Sequence, residues 1–354
     1  MKNPYEIKIP ALDAEVMKEA WARQDVLAKP PRSLGVLEEI SVRFAGMTGK
    51  LYNDAKKRRI LIFAADNGVV EEGVTSAPQS VTLAQTINFT RGLTGVAVLA
   101  KHYNTELKVV DVGVNARFEQ PGVIDRKIAM GTRNLAKEPA MSREQALQAL
   151  QTGYEMAAQA AADGVEILGI GEMGIGNTTT SSAVASVLLD RPAEEMTGRG
   201  AGLSDEGLAR KVAAIRKALE VNRPDPADVL DVLRKVGGFD IAGLCGVFLG
   251  GALYGVPVLM DGFISAVAAL CALRLCPLAG KAMLASHVSA EPAGALVLEA
   301  LGKRPLITAG MHLGEGTGAV AAIPLLDMAC AVYHGCYTFH DGGIEAYQPQ
   351  GGTT

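Results

Sequence analysis

The sequence predicts an α/β protein built on a parallel sheet that is covered by helices on both faces. Three observations carry this prediction: short uninterrupted apolar runs, alanine-rich helical stretches between them, and acidic residues beside glycine where the runs end. Continuous apolar strands are typical of parallel sheets, because crossover helices bury both of their faces.

The N-terminal region is predicted to be helical. A first helical stretch should end before Pro30-Pro31, because the residue before a proline disfavours helical backbone. Ser33 is predicted to be the N-cap of a second helix. The apolar residues that follow Ser33 at helical spacing are Leu34, Leu37, Ile40, Phe44 and Met47.

Four apolar runs are predicted to be buried strands: residues 60–65, 107–110, 165–170 and 256–260. They end at Asp66-Asn67-Gly68, Asp111-Val112-Gly113, Gly171-Glu172 and Asp261-Gly262. After any single strand, acidic residues and glycine are ordinary turn residues. Four such ends together favour a binding site for a polar ligand, since ligands of open α/β sheets lie outside the carboxyl ends of the strands.

Two helical segments have clear local signals. Ser142 with Gln145 matches a capping box that opens a helix. Residues 241–260 form an uncharged stretch that is long enough to cross a bilayer. However, this stretch contains five glycines and Pro257, so we predict a glycine-rich helix, a turn and a buried strand instead.

Composition excludes several classes of protein. The 354 residues carry a formal net charge of −4, which argues against a large nucleic-acid surface, and 49% are apolar, which argues against disorder. Five cysteines, all after residue 244, do not form a disulfide framework, and residues 1–6 lack the apolar core of a secretory signal. We therefore expect a cytoplasmic protein that is not bound to a membrane, with a disordered tail over residues 348–354.

A glycine-rich loop over residues 169–180 follows a predicted strand and precedes a helix. Converging backbone N–H groups and a helix N-terminus suit a phosphate group. The loop also matches the pattern G-x-G-x-x-G, with Asp190 near the expected position of a ribose-binding acid. Too few residues remain for the crossover helix of a dinucleotide-binding unit. Phosphate binding, an NAD-dependent oxidoreductase that uses residues 169–174, and a purely structural turn therefore stay open.

Two further patterns bear on chemistry. Glu315 lies between two glycines before an apolar run, where it could complement a helix dipole or, if partly desolvated, act as a general base. A separate set of side chains invites a zinc interpretation: Cys330, His334, Cys336 and His340. Their spacing matches no metal motif, so we predict no metal site.

Residues 29–35 resemble the KPPGSLG opening of the nicotinate-nucleotide–dimethylbenzimidazole phosphoribosyltransferases, which make the lower-ligand nucleotide of cobalamin. The resemblance covers roughly residues 25 to 340. The other matching motifs, in order, are Ala65-Asp66-Asn67-Gly68-Val69, Thr90-Arg91-Gly92, Val110-Asp111-Val112-Gly113, Gly171-Glu172-Met173-Gly174, Asn177-Thr178-Thr179, residues 235–240, residues 259–263, Ser286-His287, Ser289-Ala290-Glu291 and Leu313-Gly314-Glu315-Gly316.

The resemblance implies a large Rossmann-like α/β domain over residues 31–324 and a small helical domain from residues 1–30 and 325–354. It implies transfer of phosphoribose from nicotinate mononucleotide to an aromatic base, without a cofactor, in a dimer that is homomeric or contains a related subunit. Glu315 matches the family's general base and Glu172 a second active-site acid. The residues that match or border the family's substrate-binding positions are Gln85, Ala77, Gly174, Gly176, Asn177, Thr178, Lys211, Ser289, Leu313 and Gly314.

Three positions depart from the family pattern. Arg32 replaces a usual glycine, Asn67 replaces a frequent histidine, and Ala77 stands where a serine of the base pocket is expected. The base is therefore open among dimethylbenzimidazole, a related azole, a purine or a phenol. A non-catalytic subunit that binds the nucleotide beside a catalytic partner is a further alternative.

Overall fold

The computed structural model describes residues 4–347. Its contacts divide the chain into two compact units, residues 4–10 with 57–322 and residues 11–56 with 323–347. The domain limits expected from the resemblance, at residues 30/31 and 324/325, stay a prediction. The predicted disordered tail, residues 348–354, lies outside the described residues.

The first unit is built on a six-stranded sheet in which every pairing is parallel. The strands are β1 (Arg58–Ala65), β2 (Glu106–Gly113), β3 (Val123–Asp125), β4 (Ile167–Met173), β5 (Val258–Met260) and β6 (Met283–Ala285). Their order is β3-β2-β1-β4-β5-β6, so the chain reverses its direction of winding between β1 and β4. This is the order of a doubly wound fold, and the predicted fold class is confirmed.

The four predicted apolar runs correspond to β1, β2, β4 and β5. The strands β3 and β6 were not predicted, since three residues give no readable periodicity. The helices of this unit are α3 (Ser80–Thr90), α4 (Gly95–His102), α5 (Arg143–Ala162), α6 (Asn177–Leu189), α7 (Ala193–Met196), α8 (Asp205–Asn222), α9 (Val229–Val236), α10 (Phe239–Tyr254), α11 (Phe263–Leu275) and α12 (Gly294–Ala300). Ser142 and Gln145 form the predicted capping box of α5.

The uncharged stretch 241–260 forms most of α10, a turn and β5, as predicted. Glycines on both helices bring α10 against α5: a Cβ on Gly153 of α5 would lie 1.8 Å from the Gly243 oxygen, and one on Gly246 of α10 would lie 2.0 Å from the Leu150 oxygen. The glycines therefore serve helix packing within the chain.

A last helix, α13 (Thr317–Gly335), is long and apolar enough to cross a membrane by length and composition alone. About half of it is buried inside the protein, and core helices of this kind meet the same two criteria. Its residues 317–322 belong to the first unit and its C-terminal part to the second.

The second unit contains α1 (Ala14–Val26), α2 (Val36–Thr48) and the C-terminal part of α13. Its core is the cluster Ala20, Val42, Ala45 and Tyr333. An antiparallel bridge between Leu27 and Thr338 joins the two chain segments of this unit.

The prediction that Ser33 caps α2 is wrong. The helix begins at Val36 after Gly35, and the Glu38 carboxylate reaches back to accept a hydrogen bond from the Leu34 N–H. Arg32, where the resemblance expects glycine, has a φ of 61°, a backbone region that glycine adopts most easily. Its guanidinium stacks over Trp21, 3.7 Å from the ring centre, which helps to offset that backbone cost.

Candidate active site

Polar side chains gather at the carboxyl edge of the sheet, beside the switch point between β1 and β4. Asp66 and Asn67 follow β1, Glu172 lies at the carboxyl end of β4, and Asp261 follows β5. Glu172 pairs in register with Phe63 of β1, which sets its height in the sheet. All four side chains are buried.

Glu315 lies in a tight turn that leads into α13. Its φ is 63°, and its neighbours Gly314 and Gly316 have φ of 79° and 85°, so three successive residues adopt left-handed backbone. Glycine takes this conformation without steric cost, whereas glutamate does so rarely. The Thr317 hydroxyl donates to the Gly314 oxygen at 2.8 Å and helps to close the turn.

Glu315 is 9% exposed, and its carboxylate accepts one hydrogen bond from Gln85 of α3, with 3.0 Å between Nε2 and Oε1. Burial raises the pKa of Glu315 above its ordinary value, and the negative charge of Asp261 raises it further, while the Gln85 bond opposes both. A carboxylate held in this way suits general-base chemistry. Leu313, two residues before it, is 63% exposed, so the enclosure of Glu315 comes from other groups.

A second buried acid, Glu172, shares a hydrogen-bond donor with Asp240 of α10. The Asn177 side-chain nitrogen donates to Glu172 and also to Asp240, the latter at 3.0 Å. Burial raises the pKa of Glu172 to about 8, and Asp240, Asp261 and Glu315 add negative charge around it. Burial also raises the pKa of Asp240 to about 6. The free site therefore holds at least one carboxyl proton at neutral pH.

This raised pKa predicts a pH dependence of stability. Glu172 in the folded protein binds its proton up to about pH 8, whereas in the unfolded chain it loses it near its ordinary value of 4.5. Between these values the folded state binds more protons, so the free energy of unfolding should fall as pH rises, by up to about 1.4 kcal/mol per pH unit. Glu172→Gln cannot ionise and should flatten this slope in urea unfolding between about pH 5 and about pH 8.

The control for that measurement is Glu195→Gln, which changes an exposed glutamate and should keep the wild-type slope. An unchanged slope in Glu172→Gln would show that Glu172 ionises normally in the folded protein.

An anion site is indicated where α6 begins. The Lys211 ammonium of α8 is fully buried, and its Nζ donates to the Thr178 hydroxyl at 2.8 Å and to the Gly198 oxygen at 2.9 Å. Burial lowers the pKa of Lys211 to about 8, while the charge of Glu291 opposes that shift. Gly176, with a φ of 94°, is the residue before α6, so N–H groups of the first helical turn lie beside the lysine.

Close backbone packing shapes this loop. A Cβ on Gly174 would lie 2.3 Å from the Ala65 oxygen, and one on Gly176 would lie 2.9 Å from Val70. The Ile175 N–H donates to the Thr82 hydroxyl at 3.1 Å, which ties the loop to α3. Loop 174–178 is thus fixed against β1 and α3.

The remaining predicted residues are placed as follows. Ser289, after β6, is 8% exposed and its hydroxyl accepts from the Glu291 N–H at 3.3 Å. Ala77 is partly exposed before α3 and bonds through its backbone to the Thr75 hydroxyl. Hydrogen bonds therefore link Glu315 directly with Gln85, and Lys211 with Thr178. In the described part of the chain, no hydrogen bond joins Ala77 or Leu313 to these pairs.

Sequence reasoning did not select three groups that complete the site: Asp240, Asp261 and His287. Asp240 contacts the predicted residue Asn177, and Asp261 bonds to the turn that carries Glu315. His287 is connected to Asp261 through Ser286. The sequence shows Asp261 only as the end of a strand and, like the other two, as a member of a matching motif.

No group of three or more His, Cys, Asp or Glu side chains is arranged to hold a metal ion within residues 4–347. Cys330 is buried in α13, whereas His340 is fully exposed.

Comparisons with known proteins agree on one family. A family model described as phosphoribosyltransferase matches residues 9–344. The nicotinate-nucleotide–dimethylbenzimidazole phosphoribosyltransferase of Ruminiclostridium cellulolyticum is 51% identical over 341 residues, which is 96% of this chain and 97% of the relative. The protein of the same description from Acetivibrio thermocellus is 49% identical over 336 residues, 95% of this chain and 96% of the relative.

Among solved structures, CobT from Thermus thermophilus superposes with a TM-score of 0.89 at 41% identity. The match covers 94% of this chain and 99% of that one.

Proposed function

Because the chain belongs to the nicotinate-nucleotide–dimethylbenzimidazole phosphoribosyltransferase family, we propose that this pentosyltransferase transfers phosphoribose from nicotinate mononucleotide to dimethylbenzimidazole or a related aromatic base. The observation that carries the proposal is the Glu315 carboxylate. It is buried at the sheet's switch point, bonded to Gln85, and forms no ion pair within residues 4–347. Such a carboxylate can act as a general base and remove a proton from an incoming base.

The proposed reaction exchanges one C–N bond for another. The bond between ribose C1′ and the pyridinium nitrogen breaks, and its electron pair neutralises the ring nitrogen, so nicotinate leaves without a proton. The azole nitrogen forms a bond to C1′, which gives the α-linked nucleotide. Glu315 takes the N–H proton that the azole loses, and its raised pKa makes it a stronger base for that step.

Glu172 is proposed to stabilise positive charge that develops on the sugar carbon. With a pKa of about 8 it is mostly protonated at neutral pH in the free protein. A cationic pyridinium nearby favours the charged form of a carboxyl group. The proposed role therefore requires that Glu172 lose its proton when nicotinate mononucleotide binds.

Lys211 and the N-terminal turn of α6 are proposed to bind the substrate phosphate. The lysine supplies a point charge, and Gly176, Asn177 and Thr178 supply the backbone at the helix start. Ser289 is proposed to add a hydroxyl to this end of the site. Gln85, Ala77, Leu313 and Gly314 are proposed to line the base pocket.

The oxidoreductase alternative has weaker support. The glycine loop of residues 169–174 is present, but Asp190 is the C-cap of α6. A ribose-binding acid of a dinucleotide fold belongs at the carboxyl end of the following strand. A dimer, homomeric or with a related subunit, and a cytoplasmic location stay predictions.

The test is a turnover panel with the purified chain alone. Nicotinate release from nicotinate mononucleotide is measured with dimethylbenzimidazole, adenine, phenol or p-cresol, with a reaction without enzyme as the blank. We expect release with dimethylbenzimidazole, and the panel ranks the other bases. Release with none of them, restored only by a second polypeptide, would favour the non-catalytic subunit. Fluorescence titration with NAD(H) tests the oxidoreductase alternative, which requires that the chain bind NAD(H).

A further inference from the structure

Asp261 is a buried carboxylate for which the proposed chemistry has no use. It follows β5 and is 3% exposed. Its Oδ2 accepts from the Gly316 N–H at 2.8 Å and its Oδ1 accepts from the Gly318 N–H at 2.7 Å. These N–H groups at the start of α13 have no partner inside the helix, and a carboxylate there also complements the helix dipole.

The same turn is packed on its other side by β4. A Cβ on Gly171 would lie 2.3 Å from the Gly316 nitrogen and 2.5 Å from the carbonyl carbon of Glu315. The backbone of residues 315 and 316 is therefore held between β4 and the Asp261 carboxylate. Such support is needed because Glu315 adopts a left-handed φ of 63°, which a glutamate abandons unless surrounding contacts fix it.

Asp261 is itself held in place. The Ser286 hydroxyl donates to the Asp261 carbonyl oxygen at 3.1 Å and lies 3.1 Å from His287 Nδ1. The titratable groups that face Asp261 or act on Glu315 are His287 after β6, Glu172 of β4 and Glu315 itself. Gln85 of α3 is the uncharged group on the other side of Glu315.

We infer that Asp261 is a positioning residue for the reaction: by binding the N–H groups of Gly316 and Gly318, it fixes the turn that aims the Glu315 carboxylate at the base. This inference rests on the proposed role of Glu315. Asp261 contacts the backbone of the turn and acts through Glu315. Its charge also raises the pKa of Glu315, which strengthens the base.

The test is Asp261→Asn, which keeps the size of the side chain but removes its charge and turns an NH₂ group towards one of the two N–H donors. We expect kcat to fall by about 100-fold, because a displacement of about 1 Å can cost that much. The KM for nicotinate mononucleotide should change less than about threefold, since the phosphate end of the site is unaltered. The acid limb of the kcat–pH profile should move to lower pH, because loss of a nearby negative charge lowers the pKa of Glu315.

The matched control is Asp228→Asn, which alters a carboxylate that caps α9 by accepting from the Leu230 and Asp231 N–H groups. Its kcat and pH profile should stay as in the wild type. A kcat of Asp261→Asn within about threefold of wild type, or an unmoved acid limb, would overturn the inference.

A double-mutant cycle separates positioning from general structural damage. In the Glu315→Gln background, Asp261→Asn should lower the residual turnover no further, because there is no base left to position. A further loss of the same size would overturn the inference. If Glu315→Gln alone keeps wild-type turnover, the proposed function of Glu315 fails instead.

Should Asp261→Asn not unfold cooperatively, Asp261→Ser replaces it under the same criteria, since serine is smaller and keeps one acceptor for these N–H groups.

Discussion

Glu315→Gln is expected to lower kcat for nicotinate release by about 1000-fold, within the range that general acid–base groups contribute. Glutamine has the same shape and keeps an oxygen that can accept the Gln85 hydrogen bond, but it cannot take the proton of the incoming base. Nicotinate mononucleotide should bind with a Kd within about threefold of wild type, because the proposed phosphate site lies at α6, away from Glu315. Steady-state turnover and equilibrium binding, measured on the same preparation, check both halves of the expectation.

The wild-type pH profile supplies an independent check on Glu315. Burial raises its pKa, and a base must be unprotonated to act, so kcat should fall as pH is lowered through that raised value. Glu195→Gln, an exposed change, should leave kcat and profile unaltered. Turnover of Glu315→Gln within a few-fold of wild type would exclude proton removal by this carboxylate.

The strands and the capping box could be predicted because their signals are local. Apolar runs mark β1, β2, β4 and β5, and Ser142 with Gln145 marks the start of α5 within three residues. The prediction that Ser33 caps α2 is wrong because the bonding side chain does not come from a residue before the helix. Glu38 inside the helix reaches back instead, and Lys29 pairs with it at 2.8 Å.

The candidate site is harder to derive, because its bonds join distant parts of the chain. Asp261 and Gly316 lie 55 positions apart, and Asn177 and Asp240 lie 63 apart. No spacing rule connects such residues, so the sequence shows Asp261 only as an acid at a strand end and as a member of a matching motif. The sequence shows Glu315 between two glycines. Its left-handed backbone and its hydrogen bond to Gln85, however, depend on the order of the strands in the sheet.

Lys211 shows the same limit of sequence-based prediction for a charged residue. A lysine in a helix is by default a solvated residue, and only the family resemblance singled out this one. In the structure it is fully buried, and the two groups that receive its hydrogen bonds, the Thr178 hydroxyl and the Gly198 carbonyl, are both uncharged. Burial of a cation without a bonded anion is costly, which favours the arrival of a negatively charged ligand.

Lys211→Met is therefore expected to raise the Kd for nicotinate mononucleotide by about 10- to 100-fold, the effect of losing a hydrogen bond to a charged group. Methionine keeps the apolar stem of the side chain, so the packing of α8 should survive. Because the pKa of Lys211 is lowered to about 8, wild-type affinity should weaken as pH rises above that value, whereas the variant should lose this dependence. Isothermal titration calorimetry from about pH 7 to about pH 9.5 measures both effects.

Lys217→Met is the matched control, since this lysine lies in the same helix but is 55% exposed and pairs with Glu220. Its affinity should equal that of the wild type at every pH. If Lys211→Met binds nicotinate mononucleotide with a Kd within about twofold of wild type, the phosphate binds elsewhere. The buried ammonium would then have a purely structural role. A loss of affinity without the change in pH dependence would mean that the substrate holds Lys211 charged well above pH 8. In that case the binding energy of the phosphate, rather than the lowered pKa of the free site, sets the protonation state during turnover.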